Sequence, residues 1–110
     1  MFHYLTAGYI DETAVSAGKV VVLAPLNEAV LSQLVSQYRD QTTSDEITFE
    51  GKPIRIKEGY VRCPWYTPFV NRTSLKFILA LHGATNCLIA DVEHGSMVTP
   101  EVLLTSLRRN

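Results

Sequence analysis

The sequence has little charge and few of the residue types on which metal sites and catalytic sites usually depend. Of its 110 residues only 19 % are charged, three are histidine and two are cysteine. The 10 basic and 11 acidic residues are scattered along the chain and leave a formal net charge of -1. Such a surface offers little electrostatic attraction to the phosphates of nucleic acids or of acidic membranes. We therefore predict no nucleic-acid partner and no membrane partner.

Long apolar runs and a secretion signal are also missing. The longest apolar cluster, residues 75–81, contains Lys76 and is much shorter than the about 20 residues of a membrane-spanning helix. The chain begins without the basic, apolar and small-residue segments of a signal peptide. The two cysteines, Cys63 and Cys87, indicate idle or buried thiols rather than a disulfide. Together these absences favour a cytoplasmic location.

Apolar residues, by contrast, are abundant and periodic. They make up 46 % of the chain, enough for the core of a single domain over residues 1–110. Aromatic and β-branched residues predict an N-terminal strand over residues 2–10. The continuous apolar run at residues 19–24 predicts a central strand covered on both faces. Apolar spacings of three and four residues then predict an amphipathic helix over residues 25–40.

Similar patterns organise the second half of the chain. Alternating apolar and polar residues predict a hairpin over residues 47–57, and Gly59 is interpreted as a bulge in its second strand. The remaining predicted elements are a helix over residues 71–82 ended by Gly83, a strand over residues 87–92 and a helix over residues 99–109.

The order of elements from residue 19 to residue 93 predicts the fold. It is strand, helix, strand, strand, helix, strand, which describes two split units of a four-stranded antiparallel sheet in strand order 4-1-3-2, with both helices on one face. We predict a ferredoxin-like α+β sandwich of βαββαβ type. The N-terminal strand and the C-terminal helix are added at an open face or an edge. A three-layer α/β arrangement, with helices on both faces of the sheet, is the alternative.

The helix predicted over residues 71–82 has a wider apolar sector than one sheet can cover. Leu75, Ile78 and Leu79 lie on one face, and Phe77 and Leu81 lie beside them. Uncovered apolar surface on a protein of low charge favours self-association. We therefore expect a homodimer that buries more than about 1,000 Å² of surface in total.

Aromatic residues concentrate in one stretch, residues 60–69, which we call the aromatic loop. It contains the only tryptophan and two of the five prolines. Arg62, Trp65, Tyr66 and Phe69 are the candidate binding residues, because Trp, Tyr and Arg dominate the energetics of protein interfaces. The alternative is that Trp65 and Phe69 fold back over the core. We expect Trp65 to be partly buried and Tyr66 to be more exposed.

Asp91, Glu93 and His94 are the densest group of potential metal ligands, since alternate residues of a strand share a face. The chain has none of the HExxH, CxxC or EF-hand spacings that would support a metal site. Carboxylates that protect an edge strand from aggregation are the favoured interpretation. We therefore predict no metal, no cofactor and no catalytic residue.

The function predicted from these patterns is protein binding. We predict a small non-catalytic module that binds another protein, its own copy or both, as adaptor, regulatory and immunity proteins do. The alternative is a small-molecule-binding or enzymatic domain with a pocket between the aromatic loop and the sheet. Convergence of Arg62, His82 or Asp91 in a cleft would favour the alternative. An exposed apolar patch would favour protein binding.

Overall fold

The computed structural model of the chain describes residues 3–65 and 72–109, which form a mixed α+β protein. Within these ranges there are four α-helices, a six-stranded antiparallel sheet and a separate two-stranded sheet. The strands are β1 His3–Ile10, β2 Val22–Ala24, β3 Thr48–Phe49, β4 Lys52–Pro53, β5 Arg55–Lys57, β6 Tyr60–Trp65, β7 Leu88–Asp91 and β8 Ser96–Met97. The helices are α1 Glu12–Ser16, α2 Glu28–Tyr38, α3 Arg72–Thr85 and α4 Pro100–Arg109.

The N-terminal strand β1 is the centre of the large sheet. It pairs with β6 from His3, opposite Trp65, to Gly8, opposite Tyr60. Its other edge pairs with β7 around Ala7. The strand order is β5-β6-β1-β7-β8, and β2 joins only the end of β1.

This arrangement corrects the central strand predicted at residues 19–24. Only residues 22–24 form a strand, and they pair with the last two residues of β1. Leu23 in that strand is 69 % exposed. The reason is competition, because β6 and β7 already occupy both edges of β1 and leave no interior position for β2. A ferredoxin-like sheet with residues 19–24 as its first strand is therefore not confirmed, and the strand predicted as an addition takes the centre.

The predicted hairpin over residues 47–57 is divided between two shorter hairpins. β3 and β4 pair across Glu50 and Gly51, which both have positive φ angles. β5 instead pairs with β6 across a turn that contains Gly59. Gly59 is thus a turn residue and not a bulge. Its φ of 85°, and the 2.9 Å that would separate an added Cβ from Val22 Cγ1, both require glycine.

The main core lies between one face of the sheet and helices α2, α3 and α4. Leu5 and Ala7 of β1 point to this face, together with Val61 and Cys63 of β6, because alternate residues of a strand share a face. The side chains that α3 buries here are Leu75, Phe77, Ile78 and Leu81. Helix α3 contacts both α2 and α4, and Leu103 of α4 is also buried. The wide apolar sector of α3 is therefore covered within the chain itself.

The end of α3 lies beyond the predicted stop at Gly83. The helix continues to Thr85, and Asn86, with φ of 56°, takes the left-handed position that ends it. The Asn86 main-chain N–H donates to the carbonyl of His82 at 2.7 Å. Asparagine adopts this conformation more readily than most residues, so Asn86 can end the helix, and the predicted end at Gly83 was wrong.

The opposite side of the sheet, which we call the outer face, is only partly covered. Helix α1 and a 3-10 turn at Val92–His94 close one end of it with a second cluster, which consists of Ile10, Val15, Ala90 and Val92. The rest of the face presents Tyr4, Tyr60, Arg62 and Pro64, all partly exposed.

The small hairpin of β3 and β4 is anchored by Asp40, which follows α2. Its carboxylate accepts hydrogen bonds from the main-chain N–H groups of Gly51 at 2.8 Å and Glu50 at 2.9 Å, and from Thr48 Oγ1 at 2.8 Å. These donors, Gly51 first, favour the charged form and lower the pKa of Asp40. The hydrogen bonds to the turn are therefore stronger when the Asp40 carboxylate is ionised.

We expect acid to loosen this hairpin. Because the folded pKa lies below the ordinary value of 3.8, the carboxylate stabilises the fold above that value, and the contribution is lost as the pH falls through the folded pKa. Urea unfolding followed from about pH 7 to about pH 2 should show this loss. Asp40→Asn should reduce the acid-dependent part, and Asp45→Asn, on the adjoining loop, is the matched control. Identical pH profiles for wild type and Asp40→Asn would contradict this role.

Candidate functional site

Arg62, the first predicted binding residue, lies in β6 on the outer face. Its Cζ atom is 4.3 Å from the centre of the Tyr4 ring, a cation–π contact. Its Nη2 group donates to Glu93 Oε1, which also forms an ion pair with it. Both side chains of that pair are more than a third exposed, so the ion pair adds little to stability. It does hold the guanidinium in one place against the sheet.

Trp65 ends β6 on the core side of the sheet. It is half-buried and packs against the main core. A side chain in this position supports the fold, and only its exposed part could contact a partner. Tyr66 and Phe69 lie outside the residues that the structure describes, so their predicted part in binding stays a prediction.

Asp91, Glu93 and His94 do not form one ligand set. Asp91 is buried and accepts a hydrogen bond from the His94 main-chain N–H, and both of its carboxylate oxygens are 2.9 Å from His94 Nδ1. Glu93 instead forms an ion pair with Arg62. Strand β7 ends at Asp91. In the 3-10 turn that comes next, side chains three positions apart lie above one another. Among residues 3–65 and 72–109 no three or more His, Cys, Asp or Glu side chains gather as a metal site would require.

Cys63 and Cys87 are free and buried. Cys63 lies opposite Leu5 inside the sheet, and burial raises the pKa of its thiol far above the usual range. Burial also raises the pKa of Cys87. A weakly polar environment disfavours the thiolate, which is the reactive form. Neither thiol is placed to act as a nucleophile.

We expect both thiols to resist alkylation in the folded protein. Iodoacetamide at about pH 8 should label them only after unfolding in urea, because the thiolate must be exposed to react. Burial raises both pKa values above the ordinary value of 9.0. The contribution of the two protonated thiols to the free energy of unfolding is therefore fully present below about pH 9 and is lost as the pH rises further. Mass spectrometry after labelling checks the first point. Rapid labelling of the native protein would contradict the burial of these residues.

Three concave regions lie near these residues. The first, which we call the α2–β5 groove, has a volume of about 410 Å³ and is lined by Glu28, Leu31, Ser32, Val35, Ser36, Arg39, Ile47 and Ile56. The second, the cationic pocket, has a volume of about 310 Å³ and is lined by Tyr4, Gly51, Lys52, Pro53, Arg55, Arg62 and Pro64. A smaller cavity of about 210 Å³ lies on the other side of Arg62, beside Glu93.

Arg62, His82 and Asp91, the polar residues considered for a shared cleft, do not line one pocket together. His82 Nδ1 is 2.7 Å from the carbonyl oxygen of Cys87, at the end of α3. The Asp91 carboxylate lies within hydrogen-bond distance of His94 Nδ1. Arg62 lies instead beside Lys52 and Arg55. The predicted hairpin over residues 47–57 paired the strand that contains Arg55 with the wrong neighbour, so its position opposite Arg62 was missed.

Comparisons with known proteins add no family or relative. The chain matches no family model, and neither a curated protein nor a solved structure is detectably similar to it. In the described part of the chain, no helix has the length and apolar character needed to cross a membrane. The functional argument therefore rests on the geometry of the groove and of the cationic pocket.

Proposed function

We propose that this protein is a non-catalytic interaction module that binds an extended segment of another protein at the α2–β5 groove. The observation that carries the proposal is an apolar groove directly beside an edge strand. Within residues 3–65 and 72–109, β5 pairs with β6 on one side only. Ile56, at its centre, lines the groove and is 41 % exposed. Exposed apolar surface at a sheet edge is typical of sites that add a strand from a partner.

The groove has an apolar floor and a polar rim. Leu31 and Val35 of α2 are buried at its base, and Ile47 and Ile56 form the opposite side. The polar rim consists of Glu28, Ser32, Ser36 and Arg39. A central apolar surface surrounded by polar groups is the usual anatomy of a protein interface. The volume suits a few side chains of a bound segment rather than a whole folded partner.

The charges on β5 indicate the chemistry of that segment. A strand laid along β5 would direct alternate side chains into the groove beside Ile56, and the others towards the outer face beside Arg55 and Lys57. Neither of these two cations has an ion pair or a hydrogen bond within the described ranges. The segment that fits best alternates acidic and apolar residues.

The same charges disfavour a second copy of this chain at the groove. Two β5 strands paired antiparallel about Ile56 would place Arg55 of each strand opposite Lys57 of the other. Like charges directly opposite each other destabilise a β ladder. Basic residues at a sheet edge are also a common protection against self-pairing. A partner of different sequence is therefore favoured.

A peptide selection tests this proposal and needs no identified partner. A library of random peptides of about ten residues, displayed on phage, is selected on the wild-type protein. We expect enriched sequences that alternate acidic and apolar residues, and we expect Ile56→Lys to weaken their binding at least about tenfold. Binding is measured on synthetic peptides by fluorescence anisotropy.

The control is Leu23→Lys, which places the same charge on a more exposed apolar side chain outside the groove. Its affinity for the selected peptides should equal that of wild type. A consensus with helical spacing of apolar residues would contradict strand addition. Equal binding to wild type and Ile56→Lys, or no enrichment at all, would remove the groove as the binding surface.

We also propose that the protein is a homodimer, through a surface other than the groove. The support is α4, where Val102 and Leu104 are 46 % and 40 % exposed on either side of the buried Leu103. Light scattering at micromolar concentration should give twice the chain mass, and Leu104→Lys should reduce it to one chain. Leu23→Lys, which places the same charge on an exposed apolar side chain away from α4, is the matched control. A single-chain mass for wild type would end this proposal.

We further propose that β1, β5, β6 and β7 with α2 and α3 form a ferredoxin-like unit. Counted as strands one to four, they follow the order 2-3-1-4, all antiparallel, which is 4-1-3-2 read from the other edge. Hydrogen exchange tests this, since amides of β1 should be among the slowest and those of residues 19–24 should exchange early. Such a fold says nothing about function.

A cytoplasmic location is the last part of the proposal. It is supported by two thiols that are free and buried, because proteins of reducing compartments keep their cysteines unpaired. Cell fractionation with an antibody against the chain tests it. Recovery from an oxidising compartment would contradict it.

A further inference from the structure

The cationic pocket lies on the outer face of the sheet, away from the α2–β5 groove. We infer that the cationic pocket binds a small organic dianion, such as a phosphate monoester, between Arg55 and Arg62. The inference does not depend on the α2–β5 groove, because Ile56 points to the opposite side of β5 from Arg55.

The two arginines are the first argument. Arg55 and Arg62 lie directly opposite each other in the β5–β6 pair, so their side chains share the outer face. Opposite residues in an antiparallel pair have Cβ atoms roughly 4.5 to 5.5 Å apart, and like charges at that distance destabilise the sheet. An oxyanion bound between the two guanidinium groups would replace this repulsion by charge-assisted hydrogen bonds.

The charge of the pocket selects a dianion. Lys52, Arg55 and Arg62 contribute three positive charges, and none of the seven residues that line the pocket is acidic. Glu93 forms an ion pair with Arg62 from outside the pocket and reduces the balance to two positive charges. A phosphate monoester carries about -1.5 to -2 at pH 7, whereas a single carboxylate carries only one negative charge.

The site is also held in place before a ligand arrives. The Tyr4 ring and Glu93 fix the Arg62 guanidinium, so less side-chain entropy is lost on binding than for a free arginine. The remaining walls are Pro53, Pro64 and the Tyr4 ring, which are rigid and largely apolar. A volume of about 310 Å³ is at the lower end for small-molecule pockets and exceeds the needs of phosphate alone. The ligand therefore carries an organic group beside its phosphate.

Phenyl phosphate is a suitable probe because it combines both features. We expect it to shift the amide NMR signals of β5, β6 and residues 51–53, with at least about tenfold higher affinity than benzoate or inorganic phosphate. Affinity should fall with added salt. It should also fall below about pH 6, where the monoester loses one negative charge.

Arg55→Gln should weaken phenyl phosphate binding at least about tenfold. Without ligand, the variant should melt at the same or a higher temperature than wild type, because the repulsion with Arg62 is removed. Lys57→Gln, on the same strand but outside the pocket, is the control and should retain most of the affinity. Ile56→Lys should retain it as well, so failure of the groove proposal and failure of this one are distinguishable.

Several results would overturn the inference. These are no shift at about 10 mM phenyl phosphate, equal affinity for benzoate, unchanged affinity in Arg55→Gln, and tighter binding of a short oligothymidylate than of the monoester. The last result would indicate a site for the phosphodiesters of a nucleic acid. Shifts spread over the whole protein would show an adventitious ion only, and would also overturn it.

Discussion

Phe77→Ala should lower the free energy of unfolding by about 3 to 5 kcal/mol. Phe77 is completely buried in α3. Its ring lies edge-on to Phe49, with ring centres 4.9 Å apart, and to Tyr38, with ring centres 6.1 Å apart. Edge-to-face pairs each add about 0.5 to 1.5 kcal/mol beyond the area that they bury. Truncation removes both pairs and leaves a cavity where α2, α3 and the β3–β4 hairpin meet.

Urea unfolding followed by circular dichroism measures this loss, which is a large share of the about 5 to 15 kcal/mol that stabilises a typical domain. Phe77→Leu should cost less, because it preserves most of the volume. Lys76→Ala, on the exposed side of the same helix, should change the free energy by less than about 0.5 kcal/mol. A loss below about 1 kcal/mol for Phe77→Ala would show that this aromatic cluster is not the centre of the core.

Trp65→Ala is the second substitution for which we expect a large effect. It should lower the free energy of unfolding by about 2 kcal/mol. The value is below the about 3 to 5 kcal/mol of a fully buried tryptophan, because Trp65 is only half-buried against the main core. For a domain of this size, each kcal/mol lowers the melting temperature by roughly 4 °C or more. Thermal unfolding followed by circular dichroism provides the measurement. Trp65→Phe, which retains an aromatic ring, is the matched control.

This substitution separates two interpretations of the aromatic loop. If Trp65 is chiefly an anchor for a partner protein, its truncation barely changes folding yet removes about 2 kcal/mol or more of binding energy. An unchanged melting temperature together with lost binding of the selected peptides would move the proposed interface from the α2–β5 groove to the loop. A lower melting temperature with peptide affinity retained would support the groove.

The two proposed sites share one short strand. Ile56 faces the groove, while Arg55 and Lys57 face the outer side of the sheet, because successive side chains of a strand alternate. A three-residue edge strand can therefore contribute to an apolar peptide site on one side and to an anion site on the other. Ile56→Lys tests the groove alone, whereas Arg55→Gln removes a cation that both proposed sites use.

Local patterns in the sequence determined most of the elements. Apolar spacing predicted a helix over residues 25–40, and the observed α2 is Glu28–Tyr38. Thr99 and Pro100 predicted the start of a last helix, and α4 begins at Pro100. Each of these signals depends on residues a few positions apart, which report on local backbone geometry whatever the rest of the chain does.

The partners of the strands were decided only by the tertiary structure. The run at residues 19–24 has the composition of a central strand, yet β1 takes that place and leaves Leu23 exposed. Residues 54–57 alternate as predicted, but β5 pairs with β6 rather than with residues 47–50. That difference brings Arg55 beside Arg62 and leaves β5 as an edge strand beside α2. Strand pairing is a competition between distant segments for the same edge, and its outcome depends on burial of the whole core, which periodicity within one segment does not contain.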